Sequence, residues 1–321
     1  MNIGELVSLP ELRSELERVD ALLRSSVAIA DDPVLTDAAT HLIAAGGKRL
    51  RPTLAVAAAM AGVDGPVPES VIEGAAAVEL VHLGSLYHDD VLDGAMTRRA
   101  VPTVNSKWNN FIAIIAGDYL LARASSLAAR LGTEVTALLA DTIAELCMGQ
   151  AREQRDAFSV DRTIEGYEAC IDGKTASLLA TSARIGAIAA GLPREHVDAL
   201  TNFARAFGMA FQIRDDLLDI MGTDEQLGKP AGNDLVEGVY TLPVIYAMRE
   251  PVIGDELRGL LGDAIDTPER DKARDLVRSS NGVKSAEEAG RAWAAKATAE
   301  LATLPDSPMK ERFAALSAAL F

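Results

Sequence analysis

Cysteine is almost missing from this chain of 321 residues, with Cys147 and Cys170 the only two. They are too few for a disulfide framework and show no Cys-x-x-Cys spacing, which points to a reducing, cytoplasmic setting. Aromatic residues make up 4% of the sequence although hydrophobic types together reach 49%. Strands favour aromatic and β-branched residues, so a chain poor in them and rich in alanine and leucine is expected to pack as helices. Positive charge is also scarce: 31 Lys and Arg stand against 47 Asp and Glu, a net charge of −16. Nucleic-acid binding needs a basic face, and this balance argues against it. No uninterrupted apolar run of about eighteen residues occurs. Phe111 to Ala116 runs into Asp118, and the stretch after Leu178 contains Arg184. Met1 to Glu5 has no basic segment leading into an apolar one. A soluble protein without a signal peptide or transmembrane segment is expected.

What is present is helical periodicity, punctuated by proline and glycine. It predicts helices over 11–29, 34–45, 52–62, 68–93, 107–131, 134–156, 162–190 and 194–221, with shorter ones after Thr241. Pro52 and Pro68 suit first-turn positions. Length alone favours about two domains. No convincing hairpin and no serine- or glycine-rich linker interrupts the pattern, so one all-α domain over 1–321 is expected, a single large helical bundle with peripheral C-terminal helices.

Two acidic clusters carry the chemistry. Asp89-Asp90-Val91-Leu92-Asp93 and Asp215-Asp216-Leu217-Leu218-Asp219 spell D-D-x-L-D twice, each closing a mostly apolar helical stretch. Residues four apart share a helix face, so Asp89 lies beside Asp93 and Asp215 beside Asp219. Like charges so placed repel one another and call for cations or protons. Magnesium is the natural partner, since it accepts one or two carboxylates and completes its octahedron with water and phosphate.

The bases are clustered as well. Gly46-Gly47-Lys48-Arg49-Leu50-Arg51-Pro52 puts three cations in a turn whose glycines let backbone approach an anion. Thr97-Arg98-Arg99 follows the first acidic cluster, Lys174-Thr175 lies within a helix, and Gly228-Lys229-Pro230 follows the second cluster. Cations next to metal-binding carboxylates in a strongly acidic chain point to a diphosphate site.

The ordered set of motifs resembles the all-trans polyprenyl (isoprenyl) diphosphate synthases of the medium- and long-chain type. Its landmarks are G-G-K-R-L-R-P (46–52), H-x5-H-D-D-V-L-D (82–93), T-R-R (97–99), A-G-D-Y-L-L-A-R-A (116–124), K-T-A (174–176), F-Q-I-R-D-D-L-L-D (211–219) and G-K-P-x-G-x-D-L-x-E-G (228–238). The resemblance implies an isoprenoid synthase-like bundle around a central cavity, and a trinuclear magnesium cluster held against an allylic diphosphate. Carried over residue by residue, Asp89, Asp93 and Asp215 are metal ligands, and Asp90, Asp216 and Asp219 hold waters or complete the field. Arg98, Lys174 and Lys229 grip the allylic diphosphate, with Gln212 and Thr175 near the reacting centre. Lys48, Arg51, His82 and Arg99 form the isopentenyl diphosphate pocket. Asp89, Asp93, Asp215, Lys174 and Gln212 are the catalytic set, and a homodimer meeting through the alanine-rich stretch 111–128 is implied.

Chain length should be set one turn and more before Asp89, where Ser85 and Gly84 are small and leave a passage open. A product of about six to ten isoprene units (about C30–C50) is expected. Two departures from the family pattern stand out: Val239 replaces a lysine, and Ala100 replaces a glycine. Alternatives remain. One is a short-chain (geranylgeranyl) synthase; another is a non-catalytic prenyl-binding subunit of a heteromeric synthase, which would be expected to lose metal-binding aspartates, yet all six are present and Val239 is its only support. A terpene cyclase has a different second motif and no need of Lys48 and Arg51. A di-iron bundle needs its E-x-x-H pair twice, and Glu79-Leu80-Val81-His82 has no second copy at His41, His88 or His196.

Overall fold

The computed structural model describes residues 3–29, 31–62, 65–227 and 230–321. The described chain is all-α apart from one very small hairpin. Its first half runs α1 (Ile3–Val7), α2 (Pro10–Val27), α3 (Pro33–Ala44), α4 (Leu50–Met60) and α5 (Glu69–Leu92), then strands β1 (Thr97–Arg98) and β2 (Val101–Pro102). There follow α6 (Val104–Lys107), α7 (Asn110–Arg130), α8 (Thr133–Arg155), α9 (Ile164–Ile171), a π-helical turn (Asp172–Ala176), α10 (Ser177–Ala189) and α11 (Arg194–Met221). The remainder is α12 (Asp224–Leu227), α13 (Asn233–Val236), α14 (Leu242–Ala247), α15 (Pro251–Leu260), α16 (Thr267–Ser279), α17 (Gly282–Glu300), a 3-10 turn (Leu301–Thr303) and α18 (Pro308–Ala318). Two compact units are distinguished. One comprises Met1–Ile143, Leu178–Asn202 and Leu301–Leu316; the other comprises Ala144–Ser177, Phe203–Glu300 and Ser317–Phe321.

The first unit is organised by α5. Val71, Ile72, Ala75, Ala76, Ala77, Val78, Leu80, Val81 and Leu83 are all buried, on every side of the helix, as expected of a helix enclosed by others. Small residues bring neighbouring backbones close. A Cβ on Gly84 would lie 3.0 Å from the Gly117 carbonyl oxygen of α7, and one on Gly186 of α10 would lie 1.9 Å from that of Ala55 in α4. The alanine-rich composition therefore acts through close helix pairs rather than through bulky side chains. Helix α7 is long and apolar enough to cross a membrane by length and composition. It buries Ala113, Ala116, Leu120, Ala124 and Leu127 and exposes Phe111, Ile114 and Ile115.

The β1–β2 hairpin was not legible in the sequence. Its turn residues, Arg99 and Ala100, both have positive φ, 53° and 61°. Such turns usually take Asn-Gly, and Arg-Ala gives no such signal. The geometry explains why a glycine is the ordinary residue at position 100.

In the second unit, Tyr167, Ile171, Met209, Ile213, Leu217, Leu242, Ile245 and Ala286 form one core cluster. Helices α14 and α17 thus pack against α9 and α11. The π turn continues α9 into α10, and small residues seat it on α8: a Cβ on Gly149 would lie 2.6 Å from the Lys174 nitrogen, and one on Gly173 2.9 Å from the Glu145 carbonyl oxygen. Asp172 receives a two-pronged ion pair from Arg205, 2.6 Å at each oxygen.

Candidate active site

Helix α5 ends at the first acidic cluster. Asp93 is its C-cap, and its N–H donates to the Asp89 carbonyl at 2.8 Å. Asp89 is half-buried and Asp93 exposed, whereas Asp90 turns inward and is 1% exposed. Arg98 Nε donates to Asp90 Oδ1 at 2.6 Å. Burial pushes the Asp90 carboxyl upward and Arg98 pulls it back down. Its second oxygen, Oδ2, is buried and among the described residues accepts no hydrogen bond. Among the described residues no group of three or more His, Cys, Asp or Glu side chains is disposed to hold a metal ion by itself. Magnesium does not require one, because water and phosphate fill most of its octahedron. The open Asp90 acceptor beside two outward carboxylates fits a hydrated divalent ion.

The basic cluster of the same unit is partly structural. Arg49, which the sequence did not single out as a site residue, is buried in a left-handed conformation (φ 47°) at the N-cap of α4. It donates to Asp20 at 2.8 Å, to the buried Glu79 at 3.0 Å and to the Ile43 carbonyl at 3.1 Å. Arg99 Nη1 donates to the Leu42 carbonyl at 3.1 Å and also to that of Gly46. A Cβ on Gly47 would lie 2.8 Å from the Arg99 guanidinium carbon. Gly47 therefore makes room for an arginine of the hairpin, where the sequence had suggested room for an anion. Arg51 has a buried Nε with no hydrogen-bond partner among the described residues. Burial and the neighbouring Arg99 lower the Arg51 pKa to about 10, against the pull of Glu79. Lys48 is exposed.

His82 sits among these arginines. Burial first, then Arg51, Arg99, Arg98 and Arg49, hold it well below its ordinary value of 6.5, so the folded protein keeps it neutral. On acidification the unfolded chain takes up this proton first. The contribution is thus complete above pH 6.5 and is lost as pH falls from there towards the folded-state value. His82→Gln is expected to flatten the fall in thermal midpoint between pH 6.5 and about pH 5. Equal slopes for the two proteins would remove His82 from this account.

In the second unit, Asp215 is exposed while Asp216 and Asp219 are each 3% exposed. Tyr167 donates to Asp216 Oδ2 at 2.6 Å, and Gln212 Nε2 to Asp216 Oδ1 at 2.8 Å. Thr175 Oγ1 donates to Gln212 Oε1 at 2.8 Å. Burial lifts the Asp216 carboxyl to about 7, despite the hydrogen bonds from Tyr167 and Gln212. Asp219 accepts the Asp234 N–H at 3.3 Å. Lys174, on the π turn, pairs with Glu153. Asp215 and Asp219 stand four residues apart on α11 and differ in burial, Asp215 being exposed and Asp219 held by the segment after it. Lys229 lies outside the described residues. Tyr167 carried no sequence signal, because nothing in its own neighbourhood in the chain reveals the carboxylate it meets across the core.

The chain is similar to known proteins over most of its length. The polyprenyl synthetase family model matches residues 32–278. A nonaprenyl diphosphate synthase of Mycobacterium tuberculosis is 41% identical over 320 residues, 98% of this chain and 94% of that protein. The crystal structure of a decaprenyl diphosphate synthase from Rhodobacter capsulatus superposes with a TM-score of 0.90 at 34% identity, covering 99% of this chain and 98% of that one. A geranylgeranyl pyrophosphate synthase from Corynebacterium glutamicum, solved with calcium and isoprenyl diphosphate, gives 0.85 at 40% identity over 98% and 97%. The ordered motifs, the helical fold and these likenesses across nearly the whole length agree, and the chain belongs to the polyprenyl synthetase family of transferases.

Proposed function

We propose that the protein condenses isopentenyl diphosphate head-to-tail with an allylic diphosphate, giving an all-trans polyprenyl diphosphate of medium or long chain. The observation that carries this is the charge of the first unit. Four arginines lie near His82, and three of them, Arg49, Arg51 and Arg99, also lie near the buried Glu79, while among the described residues neither Arg51 nor Arg99 forms an ion pair with a carboxylate. A half-buried excess of positive charge, in a chain of net charge −16, is matched by a polyanion such as diphosphate.

Lys48, Arg51, Arg99 and neutral His82 bind the isopentenyl diphosphate, while Arg98, Lys174 and Lys229 hold the allylic one. Asp89, Asp93 and Asp215 would hold magnesium, which when bound would supply Lewis-acid stabilisation of the leaving diphosphate. Asp90, Asp216 and Asp219 orient waters and neighbouring side chains. Gln212 and Thr175 face the allylic carbon as its C–O bond to diphosphate breaks, the isopentenyl double bond attacks there to form the new C–C bond, and the resulting cation loses a proton to the departing diphosphate. The buried apolar residues before Asp89, including Ala75, Ala76 and Ala77, would exclude the water that captures a cation. A homodimer in the cytoplasm completes the proposal.

Incubation with magnesium, an allylic diphosphate and labelled isopentenyl diphosphate tests it. Elongated diphosphate supports the assignment, hydrocarbon indicates a cyclase, and no turnover indicates an accessory subunit.

Chain length depends on the turn before Asp89. Gly84 lies against α7, where a Cβ would meet the Gly117 carbonyl oxygen at 3.0 Å. Ser85 is half-buried with its hydroxyl on the His82 carbonyl at 2.9 Å, and it is the small residue left at this level. Ser85→Phe is expected to shorten the product by at least one isoprene unit in chromatography of the dephosphorylated alcohols. An unchanged distribution would place the floor on another helix.

A further inference from the structure

We propose that Tyr167 is a positioning residue for prenyl transfer: it fixes the donor–acceptor order of a hydrogen-bond chain that ends at Thr175. This rests on the reaction proposed above.

The chain runs Tyr167, Asp216, Gln212, Thr175. Both ends come from the α9 and π-turn segment, and both middle members come from α11, four residues apart. Its direction follows from chemistry. A tyrosine hydroxyl has one proton to give, and it gives it to Asp216 Oδ2 at 2.6 Å. The other carboxylate oxygen must then be met by a donor, which turns the Gln212 amide so that Nε2 faces Oδ1 at 2.8 Å. Gln212 Oε1 is left facing Thr175, so the threonine hydroxyl donates inward at 2.8 Å. With its proton committed, Thr175 offers oxygen lone pairs to whatever lies before it. An electron-deficient allylic carbon is stabilised by that polarity and would be opposed by the reverse one. The reverse amide orientation would set Gln212 Oε1 against a carboxylate oxygen.

Tyr167 is built to hold this order. It is 1% exposed, within the core cluster of α9, α11 and α14. The Arg162 guanidinium lies 5.7 Å from its ring centre and is itself tied to the Tyr240 carbonyl at 3.0 Å. Removing only the hydroxyl leaves the ring packed and one buried Asp216 oxygen unsatisfied. Asp216 can then rotate, and the Gln212 amide can turn over.

The experiment compares wild type, Tyr167→Phe, Thr175→Val and the double variant by steady-state prenyl transfer at saturating magnesium. Tyr167→Phe is expected to lower kcat about tenfold with KM for both diphosphates within about twofold. The double variant is expected to lose less than the product of the single losses, since both act on one chain. A kcat within about twofold of wild type, or fully multiplicative losses, would overturn the assignment. So would a loss that disappears at higher magnesium, which would place Tyr167 with the metal ligands instead. If Tyr167→Phe melts at the assay temperature, Gln212→Glu must show the kcat loss, because it removes the amide donor while leaving Tyr167 in place; full activity of that variant overturns the assignment. Absence of prenyl transfer by wild type would remove the underlying reaction, a failure distinct from normal wild-type turnover with an unaffected Tyr167→Phe.

Discussion

Asp89→Asn is expected to lower kcat by about a thousandfold at saturating substrate, a loss of about 4 kcal/mol in transition-state stabilisation. The same substitution is expected to leave the thermal midpoint of the metal-free protein unchanged or raised. The two expectations come from one geometry. Asp89 and Asp93 occupy the last turn of α5, where the helix macrodipole disfavours negative charge and a carboxylate four residues away adds repulsion. Asparagine keeps the shape and removes the charge, so folding gains slightly while the leaving diphosphate loses its metal-borne stabilisation. A carboxylate present for packing would behave in the opposite way on both measurements. Activity within about tenfold of wild type, or a clear drop in midpoint, would take Asp89 out of the ligand set.

Glu79→Ala should be the most damaging single substitution for stability, costing about 3–5 kcal/mol. Glu79 is 1% exposed and Arg49 8%. Removing the carboxylate leaves the buried Arg49 with Asp20 as its one remaining ion-pair partner among the described residues and takes the nearby negative charge from the half-buried Arg51 and Arg99. Burial raises the Glu79 pKa while Arg49, Arg51 and Arg99 lower it, so the carboxyl is in electrostatic contact with all three. The loss should therefore be read from the denaturant midpoint at constant slope. Glu79→Met combined with Arg49→Leu should recover most of the stability, because a packed apolar pair replaces a buried ion pair at little net cost. A double variant as unstable as Glu79→Ala alone would show that Glu79 acts through the remaining arginines rather than through Arg49.

The helices were legible because their signals are local. Apolar periodicity, Pro52 near the start of α4 and the Gly191-Leu192-Pro193 break each report on a few consecutive residues, and the long helices fall close to where the pattern puts them. The two acidic clusters were legible for the same reason. What each carboxylate faces was not. Asp90 turns to Arg98 and Asp216 to Tyr167, and such choices depend on partners from other elements. Arg49 stands between Lys48 and Arg51 in a run that reads as one phosphate-binding turn, yet its left-handed backbone sends it into the core. Gly84 looked like open space because a glycine lacks a side chain, whereas the space had been taken by the backbone of α7. The π turn was hidden because a single extra residue scarcely disturbs apolar spacing across a long helix.

That extra residue has a consequence for how insertions and deletions are tolerated. Each residue of an α-helix advances the chain by about 100° around the axis. Deleting one position between Asp172 and Ala176 would restore an unbroken i→i−4 ladder and yield a more regular helix. It would also swing Thr175 off Gln212 or carry Asp172 away from Arg205, since both cannot keep their phase. Here the smoother helix is the disabled one, and a length change of a single residue does more harm than many substitutions on the same surface.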